Sequence, residues 1–178
     1  LVLDAARQAK SQGANVLVLS EMFLTGYPIE DLALRPAFQE ASKRAVDEIA
    51  KEINAIDSRM LVVVGYLDSG PKNAVALISG GRVATRYVKR GQDDFVFDGD
   101  FLIVNRDGTL ISRAPQFASG LNVTDLEVLP RSSEPDCVIS EEGRVVAEKV
   151  INSIAERLSD EEEVWSALVM GLCDYVKK

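Results

Sequence analysis

The 178-residue sequence contains no histidine, only two cysteines and one tryptophan, and few aromatics, 6% in all. Without histidine there is no Ser-His-Asp or Cys-His catalysis and no histidine-ligated metal site, which leaves carboxylates, lysines and two thiols as the reactive groups. Cys137 and Cys173 lie far apart, show no CxxC spacing and are too few to staple a domain of this size, so a reducing, cytoplasmic compartment is expected. Neither has a basic neighbour that would mark an activated thiol, and Cys173 reads as structural. No apolar run approaches the roughly 20 residues of a spanning helix, and no signal peptide is expected. An excess of basic charge is also missing. With 20 Lys+Arg against 28 Asp+Glu the net charge is -8, which repels phosphate backbones and anionic lipid, so neither nucleic acid nor membrane is an expected partner.

What is present is an ordinary globular composition, 47% hydrophobic and 27% charged, in a length suited to one domain with an appendage. Val2, Ala5, Ala6 and Ala9 recur at helical spacing with no capping residue before them, so the chain is expected to begin inside a helix that stops near Gly13. Val16 to Leu19 is a short continuous apolar run, the pattern of a strand buried on both faces. After the turn residues Thr25 to Pro28, the stretch Pro36 to Ile56 reads as a surface helix. Its apolar stripe is Phe38, Ala41, Ala45, Ile49 and Ile53, with Lys43, Arg44, Asp47, Glu48 and Lys51 opposite.

Strands are expected at Met60 to Tyr66, then as a hairpin from Asn73 to Ile78 and Arg82 to Val88 about Ser79-Gly80-Gly81. A second hairpin is expected from Phe95 to Val104 and Thr109 to Ala114 about Asn105 to Gly108, with a short strand at Asn122 to Leu126. Glu127 to Pro135 reads as a linker. Two helices close the chain: one with Ala147, Ile151, Ile154 and Leu158 on a stripe, and one opened by a Ser159/Glu162 capping box, with Trp165, Leu168, Val169, Leu172 and Val176 apolar. One helix-strand start followed by hairpins predicts an α/β fold with mixed sheets and helices outside them.

Two positions stand out for chemistry. Glu21 follows a buried strand, at the carboxyl end where open α/β sheets keep their sites, and partial desolvation there suits a carboxylate to general-base work. Lys89 ends the strand Arg82 to Val88, in reach of an oxyanion. Each also has a plainer reading, a solvated loop-entry glutamate and a lysine that blunts a strand edge. Ser79-Gly80-Gly81 matches the opening of an ATP pyrophosphate loop, but a strand follows it, so a hairpin turn is the better reading. The acids Asp93, Asp94, Asp98 and Asp100 alternate with Phe95, Val96, Phe97 and Phe101 and lack calcium-loop spacing; no metal site is expected.

Leu19-Ser20-Glu21-Met22-Phe23-Leu24-Thr25-Gly26-Tyr27-Pro28, continuing to Phe38, resembles the glutaminase domain of glutamine-dependent NAD synthetases, within the nitrilase or carbon-nitrogen hydrolase superfamily. The resemblance continues through Val64-Gly65-Tyr66, Asn73 to Ala76, Tyr87-Val88-Lys89, the block Gly91 to Gly99, and Glu163 to Lys178. It implies an α-β-β-α sandwich and a Glu-Lys-Cys triad. Glu21 matches the general base and Lys89 the lysine that stabilises the oxyanion. It also implies glutamine as substrate, and a synthetase domain that uses ATP, Mg and deamido-NAD in a homo-oligomer.

One departure accompanies the resemblance: the family's segment with the nucleophilic cysteine has no counterpart between Arg90 and Gly91. Neither Cys137 nor Cys173 lies in the nucleophile's context, so the chain alone is not expected to hydrolyse glutamine. The expected organisation is an incomplete glutaminase domain over residues 1–126, then a linker and helices over 127–178 leading toward a synthetase domain. The rival readings are a stand-alone nitrilase-type amidase and a non-catalytic interaction module of the same fold.

Overall fold

A computed structural model describes residues 1–89, 98–129, 138 and 150–177. The block Gly91 to Phe97, Asp93 and Asp94, Cys137 and Ala147 lie outside the described residues. Residues 1–89 fall in one compact unit, and 98–129 with 150–177 in another. The expected boundary at 126/127 lies inside the second unit.

The first unit is mixed α/β. Helix α1 (Val2–Ser11) buries Val2, Ala6 and Ala9 and is followed by Gly13 at φ 76°, the left-handed position at which glycine ends a helix. Strand β1 (Val16–Val18) is followed by a turn, a 3₁₀ segment at Glu30–Leu34 and helix α2 (Pro36–Ile56), whose Pro36 supplies a pre-set φ at the first helical position. Strands β2 (Leu61–Asp68), β3 (Lys72–Ser79) and β4 (Arg82–Val88) complete a four-stranded sheet of order β1-β2-β3-β4. The β1/β2 pair is parallel and the other two pairs are antiparallel. Ser79 pairs with Arg82 across Gly80 and Gly81, both at positive φ, so Ser79-Gly80-Gly81 forms the tight hairpin turn its glycines predict.

Helix α2 packs over β2, β3 and β4 with α1 beside it. Leu17, Val62, Val64, Tyr66, Ala76 and Ile78 meet Val46, Ala50 and Ile53 in the core. The buried line of α2 keeps Ile53 of the expected stripe but is displaced by one residue at the other four positions: Gln39, Ser42, Val46, Ala50 and Ile53 face inward. Periodicity of apolar residues missed it because two of the inward positions are polar. Their side chains satisfy backbone that would otherwise be stranded: Gln39 Nε2 donates to the Ala33 carbonyl at 2.7 Å, its Oε1 accepts from Gly70 N at 3.0 Å, and Ser42 Oγ accepts from Leu67 N at 3.2 Å. A second correction concerns β1. It is covered on one face only, since Leu17 is buried while Val16 and Val18 are more than half exposed.

Tyr66 is fully buried and its hydroxyl donates to Asp68 Oδ2 at 2.8 Å. Burial first, and then the neighbouring carboxylate, hold its proton well above the usual phenol range. On the same side of the sheet Arg86 Nη2 reaches Asp47 Oδ1 of α2 at 2.8 Å.

The second unit holds the hairpin β5 (Leu102–Val104) and β6 (Leu110–Arg113), turned at Asn105 to Gly108 as expected, and helix α3 (Asp160–Lys177). Two expected elements are absent. Residues 122–126 form no strand, and 150–159 form no helix. Both stretches are tied to each other and to β6 instead. Thr124 Oγ1 donates to Asn152 Oδ1, Asp125 Oδ2 accepts from Val150 N, and Arg113 exchanges backbone bonds with Ser153 and Ala155, so the chain about Ile154 is extended rather than helical. Ser112 anchors this region, fully buried, with Oγ donating to the Ser153 carbonyl and accepting from Asn122 Nδ2, both at 2.9 Å. Among the described residues every buried apolar side chain lies in the first unit.

The capping box of α3 is present: Ser159 N donates to Glu162 Oε2 at 3.0 Å, and Glu162 N donates to Ser159 Oγ at 3.3 Å. Trp165, Leu168 and Leu172 of its apolar face are exposed. Among the described residues no helix is long and apolar enough to cross a membrane.

Two outcomes are expected. In urea denaturation Ile53→Ala costs about 2–5 kcal/mol, the cost of a cavity in a packed core, whereas Ile151→Ala, at a 94% exposed position, stays within about 0.5 kcal/mol. The Glu162 carboxyl is held below its ordinary value of 4.5, chiefly by the backbone N–H of Ser159 and then by its hydroxyl. Its support for α3 is therefore complete above pH 4.5 and is lost as pH falls toward the lowered folded-state value. Circular dichroism should show α3 helicity falling in that window, and Glu162→Gln should remove the step.

Candidate active site

The site is built by a turn that folds back over the sheet. Leu19 N extends the β1 pairing by donating to the Val63 carbonyl at 2.8 Å, and Leu24 N donates to the Gly65 carbonyl at 3.1 Å. Between these two bonds Ser20, Glu21 and Met22 cross directly above Gly65. A Cβ on Gly65 would stand 2.5 Å from Ser20 O, 2.6 Å from Met22 N and 2.9 Å from Glu21 C, all backbone atoms with no room to give. Glycine is required here for close approach. The turn is closed by Thr25 N and Gly26 N, which donate to the Met22 carbonyl at 3.1 and 2.8 Å, with Met22 at φ 52° and its side chain buried.

This crossing brings Glu21 to the far end of β3 and β4. Lys89 Nζ lies 3.1 Å from Glu21 Oε1, although the two residues are 68 positions apart. Asn73, at the start of β3, donates from Nδ2 to the same Oε1, and its carbonyl accepts from Lys89 N at 2.9 Å. Strand alternation accounts for the gathering. Gly65 pairs with Val75 and Val75 with Tyr87, so Gly65, Asn73, Val75, Tyr87 and Lys89 share the sheet face opposite α2.

The two residues singled out in the sequence, Glu21 and Lys89, are thus in contact. Asn73 and Gly65 were not singled out. A glycine inside a strand pattern is a signal of close backbone approach, and a polar residue where β3 otherwise turns apolar is a weaker one. Desolvation is less than expected: the side chains of Glu21 and Lys89 are 34% and 42% exposed. In such a setting an ion pair adds at most about 1 kcal/mol of stability, so the pair contributes little to holding the fold together.

Two surface hollows around Lys10 and Ile56 include neither residue. Cys173 is exposed on α3, in the second unit. Of the acidic group, Asp98 accepts from Gln116 Nε2 at 2.8 Å, and Asp100 pairs with Arg113 at 3.3 Å, both within the second unit.

A mixed α/β sheet with a carboxylate and an amine sharing one oxygen at the strand ends has the groups for acid-base work on a polar substrate. No family model matches the chain. Its sequence relatives are glutamine-dependent NAD(+) synthetases: it is 30% identical over 118 residues to that of Thermotoga maritima, covering 61% of this chain and 20% of the relative, and 40% identical over 98 residues to that of Rhodobacter capsulatus, covering 53% and 17%. Among solved structures, a glutamine-dependent NAD(+) synthetase from Cytophaga hutchinsonii aligns with a TM-score of 0.47 and 22% identity over 61% of this chain and 20% of that one. The chain is homologous to part of these synthetases and spans about a fifth of the length of the curated relatives it matches.

Gly65→Ala is expected to displace the Glu21 turn, at a cost of about 1–3 kcal/mol from overpacking against backbone. The measurements are urea denaturation and amide exchange at Leu24, whose bond to the Gly65 carbonyl should lose protection. An alanine variant with native stability and a protected Leu24 amide would contradict the close approach.

Proposed function

We propose that this chain is part of the glutaminase portion of a glutamine-dependent NAD synthetase, which releases ammonia from the side-chain amide of glutamine. The observation that carries the reading is the 3.1 Å approach of Lys89 Nζ to Glu21 Oε1, in a chain whose sequence relatives bear that name. In this reading a cysteine thiol that is neither Cys137 nor Cys173, from the family segment without a counterpart between Arg90 and Gly91, attacks the amide carbon. Glu21 accepts the thiol proton and then returns it to the departing nitrogen, so that ammonia leaves and a thioester remains. Water, deprotonated by the same carboxylate, attacks the thioester carbon, and the C–S bond breaks to release glutamate while Glu21 returns the proton to the departing cysteine sulfur. Lys89 stabilises the negative oxygen of each tetrahedral intermediate.

The ammonia serves a synthetase domain that uses ATP, Mg and deamido-NAD to form NAD, in a cytoplasmic homo-oligomer. The exposed apolar side chains Trp165, Leu168 and Leu172 of α3 support assembly with further protein.

Ammonia release from glutamine tests the reading. The 178-residue chain is expected to release none above buffer. The gene product isolated from its source cells is expected to release it, with Glu21→Gln lowering kcat by about 100- to 10,000-fold and Lys89→Met by about 100- to 1,000-fold. A source protein without glutaminase activity, or one indifferent to Glu21→Gln, would refute it.

A further inference from the structure

Glu21 receives two donors, and both reach the same oxygen. Asn73 Nδ2 and Lys89 Nζ converge on Oε1. A carboxylate whose oxygen is held by a donor on a fixed strand position cannot rotate freely about its last bond, which sets the place of its second oxygen. We propose that Asn73 is a positioning residue for Glu21: it clamps Oε1 and thereby makes Oε2 the oxygen that accepts the proton. The assignment of a proton-accepting role rests on the glutaminase reading above; the clamp itself does not.

Three features support Asn73 rather than Lys89 as the clamp. Asn73 sits in the hydrogen-bonded β3 ladder, with its Cα fixed by pairing to Leu67, whereas Lys89 follows the last residue of β4 and reaches the site on a long side chain with much rotamer freedom. The amide must present its NH₂ to a carboxylate oxygen, so the donor is unambiguous, and an aspartate of the same shape would repel Glu21. Asn73 also holds the lysine's backbone, its carbonyl accepting Lys89 N–H at 2.9 Å. One residue therefore sets both members of the pair, by two different groups, within the sub-ångström tolerance that acid-base geometry demands.

Because these two bonds come from different atoms, they can be separated. Asn73→Ala removes the clamp and leaves the carbonyl. In the isotope-labelled 178-residue chain, side-chain methylene relaxation at Glu21 reads its order, and amide exchange at Lys89 reads the strand pairing. The expected result is a fall in the Glu21 side-chain order parameter from its value in the unaltered chain into the flexible range, below about 0.6, in Asn73→Ala and in Asn73→Asp alike, with the Lys89 amide still protected. Lys89→Met should leave Glu21 ordered. Asn73→Ser, too short to reach Oε1, replaces the alanine variant if that one does not fold. Glu21 staying ordered without the Asn73 amide, or losing its order in Lys89→Met alone, would overturn the proposal. None of these readouts involves turnover, so a failed glutaminase assay and a failed clamp are distinct results.

Discussion

The close approach of the Ser20–Met22 backbone to Gly65 is the constraint on which the site depends. A strand followed by an ordinary loop would carry Glu21 off the end of the sheet into solvent. Here the loop is bonded at Leu19 and again at Leu24, and the missing side chain at Gly65 lets the chain cross the sheet between those bonds. Everything else at the site follows from that crossing, because it places a carboxylate above the row of positions that β3 and β4 present on the same face. The helices contribute by burying the opposite face, which fixes the alternation and so decides that Asn73 and Lys89 point the way Glu21 does.

The two units are held by different physics. In the first, Val62, Val64, Ala76 and Ile78 lie under α2, and the two polar residues on the helix's inner line each satisfy a backbone group. In the second, the described buried residues are Ser112 and Gln116, and order comes from side chains that bind backbone: Ser112 to Ser153, Gln116 to Leu158, Asp125 to Val150. Apolar burial is non-directional and tolerates many sequences, whereas a network of this kind depends on each partner and fails when one is removed. The site stands on the first kind of foundation.

An open Glu-Lys pair on a sheet face has acid-base capacity without enclosure. Both side chains keep a third or more of their surface in water. Preorganisation therefore has to come from hydrogen bonds and backbone rather than from desolvation, and the convergence of Asn73 and Lys89 on one oxygen is of that kind. That is compatible with homology to one part of a larger enzyme, in which further residues would complete the surroundings of the pair.

Local signals determined much of this protein. Pro36 and the charged spacing mark α2, Gly80-Gly81 and Asn105 to Gly108 mark the two hairpin turns, and Ser159 with Glu162 marks the start of α3, because each acts through its own backbone neighbours. The absence of histidine narrowed the chemistry to carboxylates, lysines and two thiols, and Glu21 and Lys89, the carboxylate and lysine singled out in the sequence, are in contact. Tertiary structure decided the rest. It shifted the buried line of α2 by one residue up to Ala50 so that Gln39 and Ser42 face inward, held the chain about Ile154 extended against β6 where its apolar spacing suggested a helix, and joined Asn73 to Glu21. In each of these cases the deciding partner is a backbone or carboxylate group distant in sequence, and its position does not exist until the sheet has formed.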